Sequence, residues 1–203
     1  MKKKNVALPG SLFVLSASSG VGKTTVARQI IEKAHQDGLA LEQVITYTTR
    51  LPRKDEIDGK HYYFVSVSAF KKKIDEGFFI EWSDAYGTYY GSPKTILPIL
   101  ERGTSLLVIL DQQGALRVHS LYAKTVLVWL ESPDLRILEQ RLHARKSESE
   151  DGKQFRIGLA KKENNSSVLE QYHYRLTSNS LPKIVDTLFN LIRGTISDSQ
   201  DGK

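Results

Sequence analysis

The chain contains no cysteine, so it can carry no disulfide framework, no thiolate nucleophile and no cysteine-ligated metal site. It also lacks any apolar run near the length of about 18 residues that a membrane-spanning helix requires. Its longest such runs, Leu106 to Leu110 and Val126 to Leu130, are strand-sized. No long apolar stretch of the kind a secretory leader needs precedes the first glycine-rich segment. The expectation is a cytoplasmic protein with no membrane partner. There is no internal repeat and no low-complexity linker. The histidines at 35, 61, 119, 143 and 173 show no metal-ligand spacing and are read as structural or exposed.

What the 203 residues do contain is an ordinary globular balance, 40% hydrophobic and 26% charged. That is enough chain for one domain with its own core. The net charge is +6. Part of it sits in Lys2–Lys4, read as a solvated tail, and part in Lys71–Lys73, read as a solvated helix face. A basic balance suits a protein that holds phosphates, although it does not by itself separate nucleotides from nucleic acid.

Ser11–Ser16 reads as a short buried strand, followed by a small-residue loop. Lys23–Ala34 follows with Val26, Ile30 and Ile31 at helical spacing. Leu106–Leu110 and Thr125–Leu130 are further unbroken apolar strands. A helix is expected from Ser132-Pro133-Asp134, since serine caps and proline suits the first turn. Another is marked by the apolar positions Ile184, Leu188, Leu191 and Ile192, and Ser197–Lys203 is expected to fray. Buried strands alternating with helices argue for an α/β fold with a central parallel sheet covered on both faces. Two stretches stand apart: residues 44–92 are rich in Thr, Tyr, Arg and Gly, and 141–163 carry Arg and Lys with few large apolar residues.

The most specific local motif is Ala17-Ser18-Ser19-Gly20-Val21-Gly22-Lys23-Thr24, which nearly fits the P-loop pattern, with Ala17 at the position of the first glycine. Glycines let successive backbone N–H groups turn toward an anion, and the following helix N-terminus adds partial positive charge. Lys23 can then reach the β- and γ-phosphates, and the Thr24 hydroxyl can ligate Mg²⁺. Leu107-Val108-Ile109-Leu110-Asp111 brings a carboxylate to the C-terminal edge of a strand, where α/β sites form. Asp111 is a candidate to hold metal through water or to bind substrate; a strand-end cap is the plainer alternative.

Nucleotide binding does not fix the reaction. Asp111-Gln112-Gln113-Gly114 matches the Asp-x-x-Gly element of GTPases, but no Asn-Lys-x-Asp guanine-reading element occurs anywhere in the chain. More telling is a series: Thr46-Tyr47-Thr48-Thr49-Arg50-Leu51-Pro52-Arg53, then Glu56, Gly59 and Tyr62, then Phe79-Ile80-Glu81-Trp82, then Gly87-Thr88-Tyr89-Tyr90-Gly91-Ser92. From the P-loop to about Asn179 the chain resembles the guanylate kinases. The residues make chemical sense by themselves, since two guanidinium forks flanking Pro52 suit a phosphate monoester, and Tyr62 and Tyr90 offer phenolic donors.

The resemblance implies that Arg50, Arg53, Tyr62 and Tyr90 hold the phosphate of GMP. It implies that Glu81 and Asp111 accept from guanine N1–H and the 2-amino group, and that Thr46 and Ser92 address O6 and its neighbours. Adenine offers no donors at those edges and would leave a buried carboxylate unpaired. Arg141, Arg145 and Arg156 are implied to come from a mobile lid, and Asn179 to lie on the adenine side. The implied architecture is a P-loop NTPase-type three-layer core (1–45, 93–139 and 164–203), a mixed α/β GMP-binding insert (46–92) and a helical lid (140–163).

The implied activity is transfer of the γ-phosphoryl group of Mg²⁺-ATP to GMP, with dGMP also accepted. Partners beyond ATP and GMP, nucleic acid included, are not expected. Trp82 is read as core. The chain departs from the family pattern at Ile109, which stands where the first Asp of an Asp-x-Asp pair is usual, and at Tyr172-His173-Tyr174, which stands near a Tyr-Asp-Tyr element. Two other readings compete. A scaffold domain of the same shape would tend to lose the ATP-side residues, which are present here. A kinase of phosphorylated sugars would have no use for Glu81, Ser92 and Thr46.

Overall fold

A computed structural model describes residues 9–18, 21–85, 87–131, 150–177 and 180–200, with the backbone alone at 150–153, 155, 156 and 200. Ser19, Gly20, Arg141, Arg145, Asn179 and the helix expected from Ser132 lie outside the described residues.

Five strands, β1 (Leu12–Ala17), β2 (Leu41–Gln43), β7 (Ser105–Ile109), β8 (Thr125–Glu131) and β9 (Tyr174–Thr177), form one sheet in the order β2-β7-β1-β8-β9. Every neighbouring pair is parallel. The unbroken apolar runs are the inner strands, as burial on both faces requires. Successive side chains feed two separate layers. Phe13 and Leu15 point into a cluster with Val26, Ile30, Leu188 and Ile192, from α1 (Lys23–Gln36) and the last helix, α6 (Leu181–Gln200). Leu12 and Val14 point the other way. There they meet Leu100 of α3 (Ile96–Glu101), Val118 of α4 (Gln112–Leu121) and Leu169 of a 3₁₀ turn (Ser167–Gln171). The result is a three-layer α/β core. Among the described residues no helix is long and apolar enough to cross a membrane. The C-terminal tail expected to fray continues as helix to Gln200, with the Ser199 hydroxyl donating to the Thr195 carbonyl at 2.8 Å.

A second sheet, in the order β4-β3-β6-β5, is built from β3 (Tyr47–Thr48), β4 (Tyr63–Phe64), β5 (Phe79–Ala85) and β6 (Thr88–Pro93). Only β3 and β4 run parallel; the other pairs are antiparallel. Helix α2 (Val67–Asp75), capped by Ser66, lays Phe70 on Phe79 with ring centroids 4.5 Å apart. Gly91 sits beneath both rings, and a Cβ there would come within 2.9 Å of Phe79 and 3.0 Å of Phe70. The expected basic face of α2 is solvated at Lys71 and Lys72, whereas Lys73 lies over the Phe78 ring at 4.1 Å. Trp82, expected in the core, is half-buried on the reverse side of β5 from Glu81, because alternation sends its neighbours Glu81 and Ser83 to the buried face. The described part of the basic insert is α5 (Glu150–Asn164).

Candidate active site

The C-terminal edges of β1 and β7 face the second sheet across a cavity of about 600 Å³. Ala17, Gly22, Lys23 and Thr24 line it from the core side, and Arg50, Arg53, Tyr62, Glu81 and Tyr90 from the insert side. Thr46 and Asp111 also line it. Of the described sequence candidates, Ser18, Val21 and Ser92 are buried and do not line it. Arg156 lies on α5, where only the backbone is described.

On the core side, β1 ends at Ala17 and α1 begins at Lys23. Gly22 between them has φ 105°, a left-handed conformation that glycine adopts without strain. Lys23 folds back over the loop, its Nζ donating to the Ala17 carbonyl at 2.6 Å and the Ser18 carbonyl at 3.3 Å. Such contacts hold the ammonium at the mouth of the loop, next to the first free amides of the helix. Asp111 is both lining residue and cap. It precedes α4 and accepts from the Gly114 N–H at 2.7 Å.

On the insert side, the arginines are organised by a residue to which the sequence reading gave no role. Glu56 accepts from Arg50 Nη2 at 2.8 Å and from the Arg53 backbone N–H at 2.8 Å. Arg50 Nη1 donates to the Leu51 carbonyl at 2.7 Å, and its guanidinium stands over the Tyr62 ring at 5.5 Å. Burial disfavours the Arg50 cation, but Glu56 more than offsets this and holds it above its usual range. Burial likewise acts to raise the Glu56 carboxyl, yet the Arg53 N–H and the Arg50 fork bring it below the usual carboxylate range. Burial pushes the Tyr62 phenol up, so it stays a donor.

Glu81, on β5, also lines the cavity and is 2% exposed. Its Oε1 accepts from the Ser92 hydroxyl at 2.6 Å, across the β5–β6 pair in which the two residues are registered partners. Burial raises its pKa from 4.5 to about 7, against the Ser92 hydrogen bond, which lowers it, and with help from the nearby charge of Asp111. Gly114 makes this arrangement possible. A Cβ there would lie 2.9 Å from Glu81 Oε2 and 3.3 Å from Asp111 Oδ1, so any larger residue would have to displace these two carboxylate groups.

Ser83, next along the same face of β5, Gln112 and Glu163 also line the cavity and were not singled out from the sequence. The alternation Glu81-Trp82-Ser83 was a signal for Ser83; nothing local pointed to Gln112 or Glu163. Of the described histidines, His35 is exposed and two others accept backbone hydrogen bonds. His61 Nδ1 accepts from the Ile57 N–H at 2.9 Å, and His173 Nδ1 from the Leu127 N–H at 2.9 Å.

No group of three or more His, Cys, Asp or Glu side chains able to hold a metal occurs among the described residues. The Thr24 hydroxyl at the start of α1 and the Asp111 carboxylate at the start of α4 are hard oxygens on one cavity. They fit a magnesium ion held mostly by phosphate and water rather than by a protein cage.

A family model described as guanylate kinase matches residues 10–195. A guanylate kinase of Clostridium acetobutylicum is 33% identical over 205 residues, covering 96% of this chain and 95% of its own. One of Caulobacter vibrioides is 38% identical over 185 residues, covering 90% and 84%. The crystal structure of guanylate kinase from Anaplasma phagocytophilum superposes with a TM-score of 0.75 at 26% identity, covering 93% of this chain and 87% of that one.

Proposed function

The chain belongs to the guanylate kinase family, and from that premise we propose that it is a cytoplasmic enzyme that phosphorylates GMP, and dGMP as well, to the diphosphate with Mg²⁺-ATP. The observation that carries this reading is one cavity lined by a buried acid, Glu81, by the paired arginines Arg50 and Arg53, and by Lys23 and Thr24. A purine monophosphate has donors at one end and a dianion at the other.

In this reading, the amides of residues 17–24 and the Lys23 ammonium take the phosphates of ATP, Lys23 exchanging the carbonyls of Ala17 and Ser18 for phosphate oxygens. Arg50, Arg53, Tyr62 and Tyr90 take the phosphate of GMP, with Glu56 pre-setting the Arg50 fork. Glu81 and Asp111 accept from guanine N1–H and the 2-amino group; Thr46 and Ser92 complete the base end. Thr24, with Asp111 through water, would hold Mg²⁺, which supplies charge neutralisation at the phosphoryl oxygens. The acceptor oxygen is already ionised near neutral pH, because a phosphate monoester has a second pKa of about 6, so no general base is required. The remaining work is alignment, electrostatic stabilisation and exclusion of water. Residues 46–92 act as the GMP-binding insert. Residues 140–163 act as the lid that brings Arg141, Arg145 and Arg156 to the transferring group, and Asn179 serves the adenine side.

A coupled assay of ADP release with GMP, AMP, CMP and UMP as acceptors tests the proposal. GMP is expected to be preferred by roughly 10⁴-fold or more, the range set by unpaired buried hydrogen-bonding groups. Comparable turnover with AMP would remove the base-reading assignment.

A further inference from the structure

Two hydrogen bonds tie the end of α5 to both nucleotide cradles. The Ser18 hydroxyl, in a residue with 0% exposure, donates to Asn164 Oδ1 at 2.6 Å. The Gln112 side-chain amide donates to the Glu163 carbonyl at 3.0 Å. Ser18 follows β1 in the phosphate loop, and Gln112 follows Asp111 at the start of α4. Glu163 and Asn164 are the last two residues of α5. The carbonyls of a last helical turn have no partner within the helix; that of Glu163 accepts from the Ser166 N–H at 3.3 Å and from Gln112. Three parts of the site thus meet at one point: the loop proposed for ATP, the strand exit carrying Asp111, and the helix of the proposed lid.

We propose that Ser18 and Asn164 are positioning residues, a clasp that sets the angle of α5 against the phosphate loop; Gln112 is its second tie. The inference rests on the functional reading above. Ile157 and Ala160 of α5 are buried in the core layer shared with α1 and α6, which seats the middle of the helix, and the polar ties hold its end. Leu159 and Glu163 line the cavity, and position 156 lies on the same helical stripe, three residues before Leu159. It stands eight residues from Asn164, about 12 Å along the helix. A tilt of about 5° at Asn164 therefore displaces position 156 by about 1 Å, and a misplacement of that size can cost about 10²-fold in rate.

The test uses the full chain with Ser18→Ala, Asn164→Leu and the double variant, and measures kcat, KM for ATP and for GMP, and Tm. Each single variant is expected to lower kcat by about tenfold, with KM for GMP within about twofold and Tm nearly unchanged. The double variant is expected to be no slower than the slower single, because both remove one bond. Should Asn164→Leu fail to fold, Asn164→Ser, which withdraws the acceptor without adding apolar bulk, takes its place. Single variants with wild-type kcat, effects that multiply in the double, or a fall in Tm with kcat intact would each overturn the clasp. A wild-type protein that makes no ADP from ATP and GMP would overturn the functional reading and the clasp with it; an active wild type with unaffected variants overturns the clasp alone.

Discussion

The two sheets are built to hold anions by opposite means. The five-stranded sheet is apolar through its inner strands and presents its loop as main chain, with Gly22 at φ 105° and one ammonium, Lys23. The four-stranded sheet is half-buried, and its grip is made of side chains from separate elements: Arg50 and Arg53 in a loop, Tyr62 ahead of β4, Tyr90 on β6. Main-chain amides bind any phosphate and discriminate little. Side chains with fixed forks and a buried acid discriminate well, but need support from residues such as Glu56, Ser92 and Gly114. On the proposed reading the common co-substrate goes to the first and the selected acceptor to the second.

The sharpest way to break that division is Lys23→Ala. Turnover is expected to fall by about 10³-fold or more, with the fold intact by circular dichroism and Tm. Near-normal turnover would contradict the role given to the loop.

Next comes Glu81→Gln, expected to lower kcat/KM for GMP by about 10² by replacing an acceptor with a mismatched amide, while KM for ATP stays put. Glu81 also gives a pH signature. Its pKa is raised to about 7, and only the ionised form accepts from two donors, so kcat/KM for GMP should decline as pH falls through about 7. Glu81→Gln should leave only the decline near about pH 6 that belongs to the phosphate of GMP itself. The stability consequence has the opposite sign. A carboxyl raised from 4.5 to about 7 favours the fold fully below 4.5, and that contribution is lost as pH rises through about 7, on the order of 3 kcal/mol in all. Denaturant unfolding at pH 8 should therefore find Glu81→Gln more stable than the wild type without GMP.

Gly114→Ala sharpens the comparison further, because its Cβ would press on Glu81 Oε2 and Asp111 Oδ1 and leave the phosphate loop alone. A rise of about tenfold in KM for GMP is expected, with KM for ATP unchanged; equal changes in both would show that α4 serves the two ligands together.

The smallest effect concerns His173. Burial, then the neighbouring His119, lowers its pKa from 6.5, and its Nδ1 accepts from the Leu127 N–H. That contribution is present above pH 6.5 and is lost as pH falls through the lowered value. The ring is exposed, so the loss is well under about 1 kcal/mol after solvent screening, visible as a slight acid limb in Tm that His173→Gln removes.

The same contrast explains what the sequence made legible. The inner strands were readable because burial on both faces leaves unbroken apolar runs such as Leu12–Leu15 and Leu106–Val108. The phosphate loop was readable because its groups are contiguous. The insert site is spread from Thr46 to Asp111, and its residue types are individually ordinary, so only resemblance grouped them. Three features left no local trace. Glu56 depends on how the 50–56 loop folds on itself. Gly114 matters only through the approach of β5 to α4. The Ser18–Asn164 bond joins residues 146 apart in sequence. Trp82 was misplaced because its bulk suggested burial while alternation with Glu81 and Ser83 decided otherwise.

The division of labour between the sheets is tested most directly by titrating GMP calorimetrically into Lys23→Ala without ATP. If the four-stranded sheet holds the acceptor by its own side chains, GMP binds this variant within about threefold of its wild-type affinity, a difference near 0.6 kcal/mol. Loss of GMP binding in the folded variant would contradict the account.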